Sequence, residues 1–89
     1  MKNKQWNLKD DIYVIEKVMN NYKTMHWNEL IKLIAKEIGT TQSSVKMRIL
    51  NYCSILGSKG LDNYAETSMI AIEKSLKKYT KSQLLIALA

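Results

Sequence analysis

Eighty-nine residues are enough for one domain and too few for a second independent core. Fourteen basic residues oppose eight acidic ones, giving a net charge of +6 and an isoelectric point near 9.5. That field favours polyanions, nucleic acid above all, or an acidic protein surface. A lone cysteine, Cys53, excludes an internal disulfide, and the longest apolar stretch, Leu84–Ala89, is far below the roughly 20 residues that cross a bilayer.

No apolar run follows Lys2 and Lys4, so no secretory leader is expected and Cys53 suits a reducing cytoplasm. All but one of the cations are lysine; Arg48 is the single arginine. Arginine carries the bidentate contacts to bases and phosphates, so its scarcity argues against stringent sequence specificity.

With no proline, three glycines and helical periodicity throughout, the chain reads as all-α, without flexible linkers or repeats. Residues 1–6 read as a flexible basic arm, 7–57 as a core of three helices, and 58–89 as a C-terminal extension of one or two helices. The first helix is expected over Leu8–Tyr22, capped by Asn7, with Asp10 and Asp11 at the positive end of its dipole. Its apolar face is Leu8, Ile12, Ile15, Met19 and Tyr22. The second helix, Met25–Ile38, buries Leu30, Ile31, Ile34, Ala35 and Ile38 and stops at Gly39, a residue suited to the left-handed conformation after a helix.

A third helix follows over Thr41–Leu56, with Thr40 or Thr41 as its cap and Val45, Ile49, Tyr52, Cys53 and Leu56 as its buried stripe. A loop over Gly57–Asp62 and a fourth helix over Asn63–Tyr79 come next, Asn63 and Glu66 having the spacing of a capping box. Thr80–Ser82 interrupts that helix before an apolar tail, Gln83–Ala89, which needs burial on this domain or on a second copy.

The stretch Leu30–Leu56 has the layout of a helix-turn-helix: small Ala35 permits a close crossing, Gly39 supplies the turn, and Val45 locks the second helix onto the first. With Val45 inward, a wheel count turns Ser43, Ser44, Met47 and Asn51 outward, flanked by Lys46 and Arg48, with Gln42 at the exposed start. Gln42 and Asn51 suit adenine, Arg48 suits guanine or phosphate, and the serines and Lys46 suit backbone oxygens.

These residues bring a family into view. Trp6 with Asp10-Asp11, Trp27 twenty-one positions later, then Ile34-Ala35-Lys36-Glu37-Ile38-Gly39-Thr40-Thr41 and Val45-Lys46-Met47-Arg48 resemble a Myb/SANT-like three-helix domain. The resemblance covers residues 6–56. It implies tryptophans in the core and a third helix that enters DNA, or a surface that holds histone tails. Ser44–Leu61 is also similar to the helical DNA-binding region preceding HNH nuclease domains in restriction-type proteins, here without a nuclease motif, His26 being the sole histidine.

The expected function is therefore a non-enzymatic DNA-binding module, such as a small phage or mobile-element regulator, touching duplex DNA through Gln42, Ser43, Ser44, Lys46, Met47, Arg48 and Asn51. A homodimer through helix 63–79 and tail 83–89 would pair two half-sites. The alternative is a phage-encoded inhibitor of an anti-CRISPR kind, or an adaptor, binding a host protein through the same basic face. No cofactor or metal is expected. Cys53 reads as a small buried hydrophobe, His26 as a surface or capping residue, and Lys74, Lys77, Lys78 and Lys81 as a solvated helix face or a second basic patch.

Overall fold

The computed structural model describes residues 5–57 and 65–88. The Lys2 and Lys4 of the basic arm, the loop residues 58–62 and the Asn63 cap lie outside the described residues. Among those described, the chain is all-helical: α1 (Leu8–Asn21), α2 (Trp27–Ile38), α3 (Gln42–Ile55), α4 (Glu66–Ser75) and α5 (Lys81–Leu88). No described helix is long and apolar enough to cross a membrane.

Local chemistry explains most boundaries. Asn7 caps α1 reciprocally: its Oδ1 accepts from the Asp10 amide at 2.9 Å, while the Asp10 Oδ2 accepts from the Asn7 amide at 3.1 Å. The helix α2 ends at Gly39, whose φ of 73° is left-handed. A Cβ there would meet no atom within 4 Å, so glycine is needed for its backbone freedom and not for space. After the turn Gly39–Thr41, the Thr41 hydroxyl accepts from the Ser44 amide at 3.1 Å and starts α3.

The last helix has the same logic. The Thr80 Oγ1 accepts from the Gln83 amide at 3.1 Å and the Gln83 Oε1 accepts from the Thr80 amide at 2.8 Å. This Thr-x-x-Gln capping box restarts the chain as a second C-terminal helix, one of the one or two expected, after the break expected at Thr80–Ser82.

One hydrophobic cluster runs through all five helices. Packing is most extensive between α1 and α4; α2 lies against α3, α3 against α4, and α5 against both α1 and α3. The stripes expected for α2 and α3 are those found: Leu30, Ile31, Ile34 and Ala35 are buried, Ile38 is half-buried, and Val45, Ile49, Tyr52, Cys53 and Leu56 are buried.

Two expectations need correction. The buried face of α1 is Asp11, Val14, Ile15 and Val18, with Leu8, Ile12, Met19 and Tyr22 only half-buried. The sequence stripe was off centre because it excluded Asp11, which the fold buries completely. Trp27 is not a core residue: it starts α2 with 37% of its surface exposed, while Trp6 packs half-buried at the edge of the cluster. Of the two homes expected for the C-terminal tail, this domain or a second copy, its described residues take the first: Leu84, Ala87 and Leu88 are buried, Leu85 is half-buried, the Leu88 carbonyl accepts from the Cys53 thiol at 3.6 Å, and Ile86 is 69% exposed.

Candidate nucleic-acid interface

Helix α3 carries the residues singled out for DNA, and its inward side fixes what the outward side can offer. Val45, Tyr52 and Leu56 define the buried direction, with Ile49 beside them. At 100° per residue, Ser43, Lys46, Met47 and Leu50 then share the opposite face. All four are exposed, as is Gln42 at the first turn. Met47 keeps 49% and Leu50 39% of its surface in solvent, making this face amphipathic, with apolar side chains at its centre and polar ones beside them.

Three expected contact residues, Asn51, Arg48 and Ser44, are not on that face. Asn51 is only 7% exposed, and both ends of its amide are engaged: Nδ2 donates to the Met47 carbonyl at 2.8 Å, and Oδ1 accepts from the Ala65 amide at 2.9 Å. It therefore anchors the entrance of α4. The wheel count placed it outward because it took no account of a helix arriving along that flank. Arg48 turns inward as well. Its Nε and Nη2 donate to Asp11 at 3.1 and 3.0 Å, and Nη2 donates again to the Thr67 hydroxyl at 2.9 Å. The Trp6 ring lies over the guanidinium, 4.8 Å from centroid to carbon, and the Trp6 indole donates to the Ser44 hydroxyl at 3.1 Å. Ser44 is thus half-buried and held, unlike its neighbour Ser43.

Asp11 is the hub that the sequence did not disclose. Besides Arg48, its carboxylate accepts from the Tyr52 hydroxyl at 2.5 Å and the Ser68 hydroxyl at 3.3 Å. A fully buried charge is tolerable only when paired and hydrogen-bonded in this way. Burial, reinforced by the adjacent Asp11 charge, pushes the Tyr52 phenol well above its ordinary value. The available signal was positional: Asp11 sits three and four residues before Val14 and Ile15, in the middle of the α1 apolar face.

Charge is distributed unevenly. The helix α3 contains no acidic residue, and with Arg48 neutralised by Asp11, Lys46 supplies the cation of its outer face. Lys36 is exposed in the last turn of α2 and Lys32 one turn earlier. Elsewhere Lys17 lies 3.6 Å from Glu37, and Lys78 pairs with Glu16 at 3.1 Å; Lys74, Lys77 and Lys81 are exposed. The Glu37 carboxylate also accepts from the Tyr13 hydroxyl, which lowers its own pKa, while desolvation, reinforced by that hydrogen bond, raises Tyr13 to about 12. Among the described residues no group of three or more His, Cys, Asp or Glu is placed to hold a metal ion.

No family model, curated protein or solved structure matches this chain.

Proposed function

We propose that the chain is a non-enzymatic DNA-binding module that presents the outer face of α3, namely Gln42, Ser43, Lys46, Met47 and Leu50, to the major groove of duplex DNA. The observation that carries this reading is the open, acid-free outer face of α3, which starts at a capped helix end right after a glycine turn in a chain of net charge +6. In this arrangement α2 and α3 act as a helix-turn-helix. Lys46 and Ser43 meet phosphate oxygens, and Lys36 and Lys32 of α2 meet the flanking backbone. Gln42 reaches an adenine edge, and Met47 and Leu50 occupy the groove floor.

On α3 this interface has five residues in place of the seven suggested by sequence and lacks Arg48 and Asn51, so affinity for a single duplex is expected in the micromolar range and strongly dependent on salt. Titration of the protein against mixed-sequence duplexes at two salt concentrations tests it. Log affinity should fall with log salt at about 0.9 per phosphate contacted; no binding even at low salt contradicts it.

A second reading is favoured by the exposure of Met47 and Leu50, which is also what a protein partner would cover. In that case the chain is an inhibitor or adaptor. It would then show no affinity for duplex DNA and would hold one stoichiometric protein after nuclease treatment, a complex that Met47→Asp breaks.

A further inference from the structure

We infer that the outer face of α3 reads the C5-methyl group of thymine, so that the sites it prefers are A·T-containing segments. This deepens the DNA-binding proposal and rests on it. Guanine is read in the major groove by arginine or lysine donating to its N7 and O6, and the lysine of this face, Lys46, lies in its flanking row, where it serves the phosphate. The single arginine of this chain cannot do so from its present position: Arg48 holds Asp11 through two nitrogens, bonds Thr67, and lies under Trp6. Asn51, one of the two α3 amides suited to bidentate contact with adenine, is closed off by the Met47 carbonyl and the Ala65 amide, which leaves Gln42.

What remains at the centre of the face is apolar. Met47 and Leu50 are one turn apart, both solvent-exposed, and Ser43 precedes Met47 by one turn on the same side. Gln42 and Lys46 form the adjoining row, also one turn apart. Among the four bases only thymine shows a methyl group in the major groove, and apolar side chains gain by covering it. The partner base of thymine is adenine, whose N6 and N7 suit the amide of Gln42. Exposed Met47 and Leu50 thus match thymine methyls, and Gln42 matches the paired adenines, while the neighbouring lysine satisfies the phosphate.

Deoxyuridine isolates the methyl, because it keeps the base pairing and the O4 acceptor of thymidine. Anisotropy titrations should compare one A·T-rich duplex with the same duplex carrying deoxyuridine throughout. The proteins are the wild type, Lys46→Ala, and the double variant Met47→Ala with Leu50→Ala, each checked for helical content by circular dichroism. Wild type is expected to lose about fourfold in affinity for each contacted methyl removed. The double variant should bind the two duplexes equally, and Lys46→Ala should weaken both by the same factor. Salt-dependent binding of wild type that ignores the methyl overturns this inference while the DNA-binding proposal stands. Absence of binding to either duplex at low salt overturns both.

Discussion

Arg48 on α3 grips Asp11 on α1 through two parallel hydrogen bonds, 3.1 and 3.0 Å long, with the carboxylate fully buried and the Arg48 side chain 15% exposed. Tyr52 and Ser68 complete the coordination of the carboxylate from α3 and α4. Three helices therefore converge on one charge. The geometry sets which side of α3 faces outward, since Arg48 and Tyr52 are the side chains through which that helix is registered against α1.

Removing one partner of such a pair leaves an uncompensated charge in the interior, which costs about 3–5 kcal/mol. Arg48→Ala and Asp11→Ala should each lower the free energy of unfolding by that amount in urea denaturation. Arg48→Lys should fall between them and wild type, because an ammonium cannot reproduce the fork or the stack under Trp6. A loss below about 1 kcal/mol for Arg48→Ala would show the pair to be solvent-screened like an ordinary surface bridge.

Asn51 should behave as a structural residue. Asn51→Ala orphans the Ala65 amide at the start of α4, a loss of about 1–3 kcal/mol. The folded fraction of that variant should bind duplex DNA with unchanged base preference. Undiminished stability together with altered base preference would put Asn51 back on the interface.

The tail belongs to the core of a single chain. Leu84→Ala should destabilise by about 2–5 kcal/mol, as for a large buried side chain, whereas Ile86→Ala should stay within about 0.5 kcal/mol. Thermal melts of the two variants check this. Equal, small effects would mean that α5 is not docked as described.

Stability should fall in alkali through Tyr52. Its folded pKa lies well above the ordinary value of 10.0, so the folded state retains the proton that the unfolded chain releases. The contribution is complete below pH 10 and is lost as pH rises from there toward the folded value. Denaturation midpoints measured upward from that pH should decline for wild type, and less steeply for Tyr52→Phe. Parallel declines would leave Tyr52 without a role in the pH response.

Helices α2 and α3 were legible in the sequence because their apolar residues recur on one face and their ends are marked locally, by Gly39 and Thr41. The misreadings share a cause: partners distant in the chain. Asp11 looked like a first-turn carboxylate because its partners Arg48, Tyr52 and Ser68 lie 37, 41 and 57 residues away. Asn51 looked exposed because the residue that engages it, Ala65 at the cap of α4, lies 14 residues later. Leu50 was passed over as a site residue, although the wheel set it between Lys46 and Met47 once Val45 was inward. The Thr80–Gln83 capping box, by contrast, was readable from spacing alone.

The central claim, that the outer face of α3 is what meets DNA, is tested most directly by amide chemical-shift mapping while a short A·T-rich duplex is added to the labelled protein. Shifts should concentrate on Gln42–Leu50 and the end of α2 around Lys36, and Lys46→Ala should reduce them. Shifts that gather instead on Lys74, Lys77 and Lys81, or spectra that do not change at low salt, would contradict it.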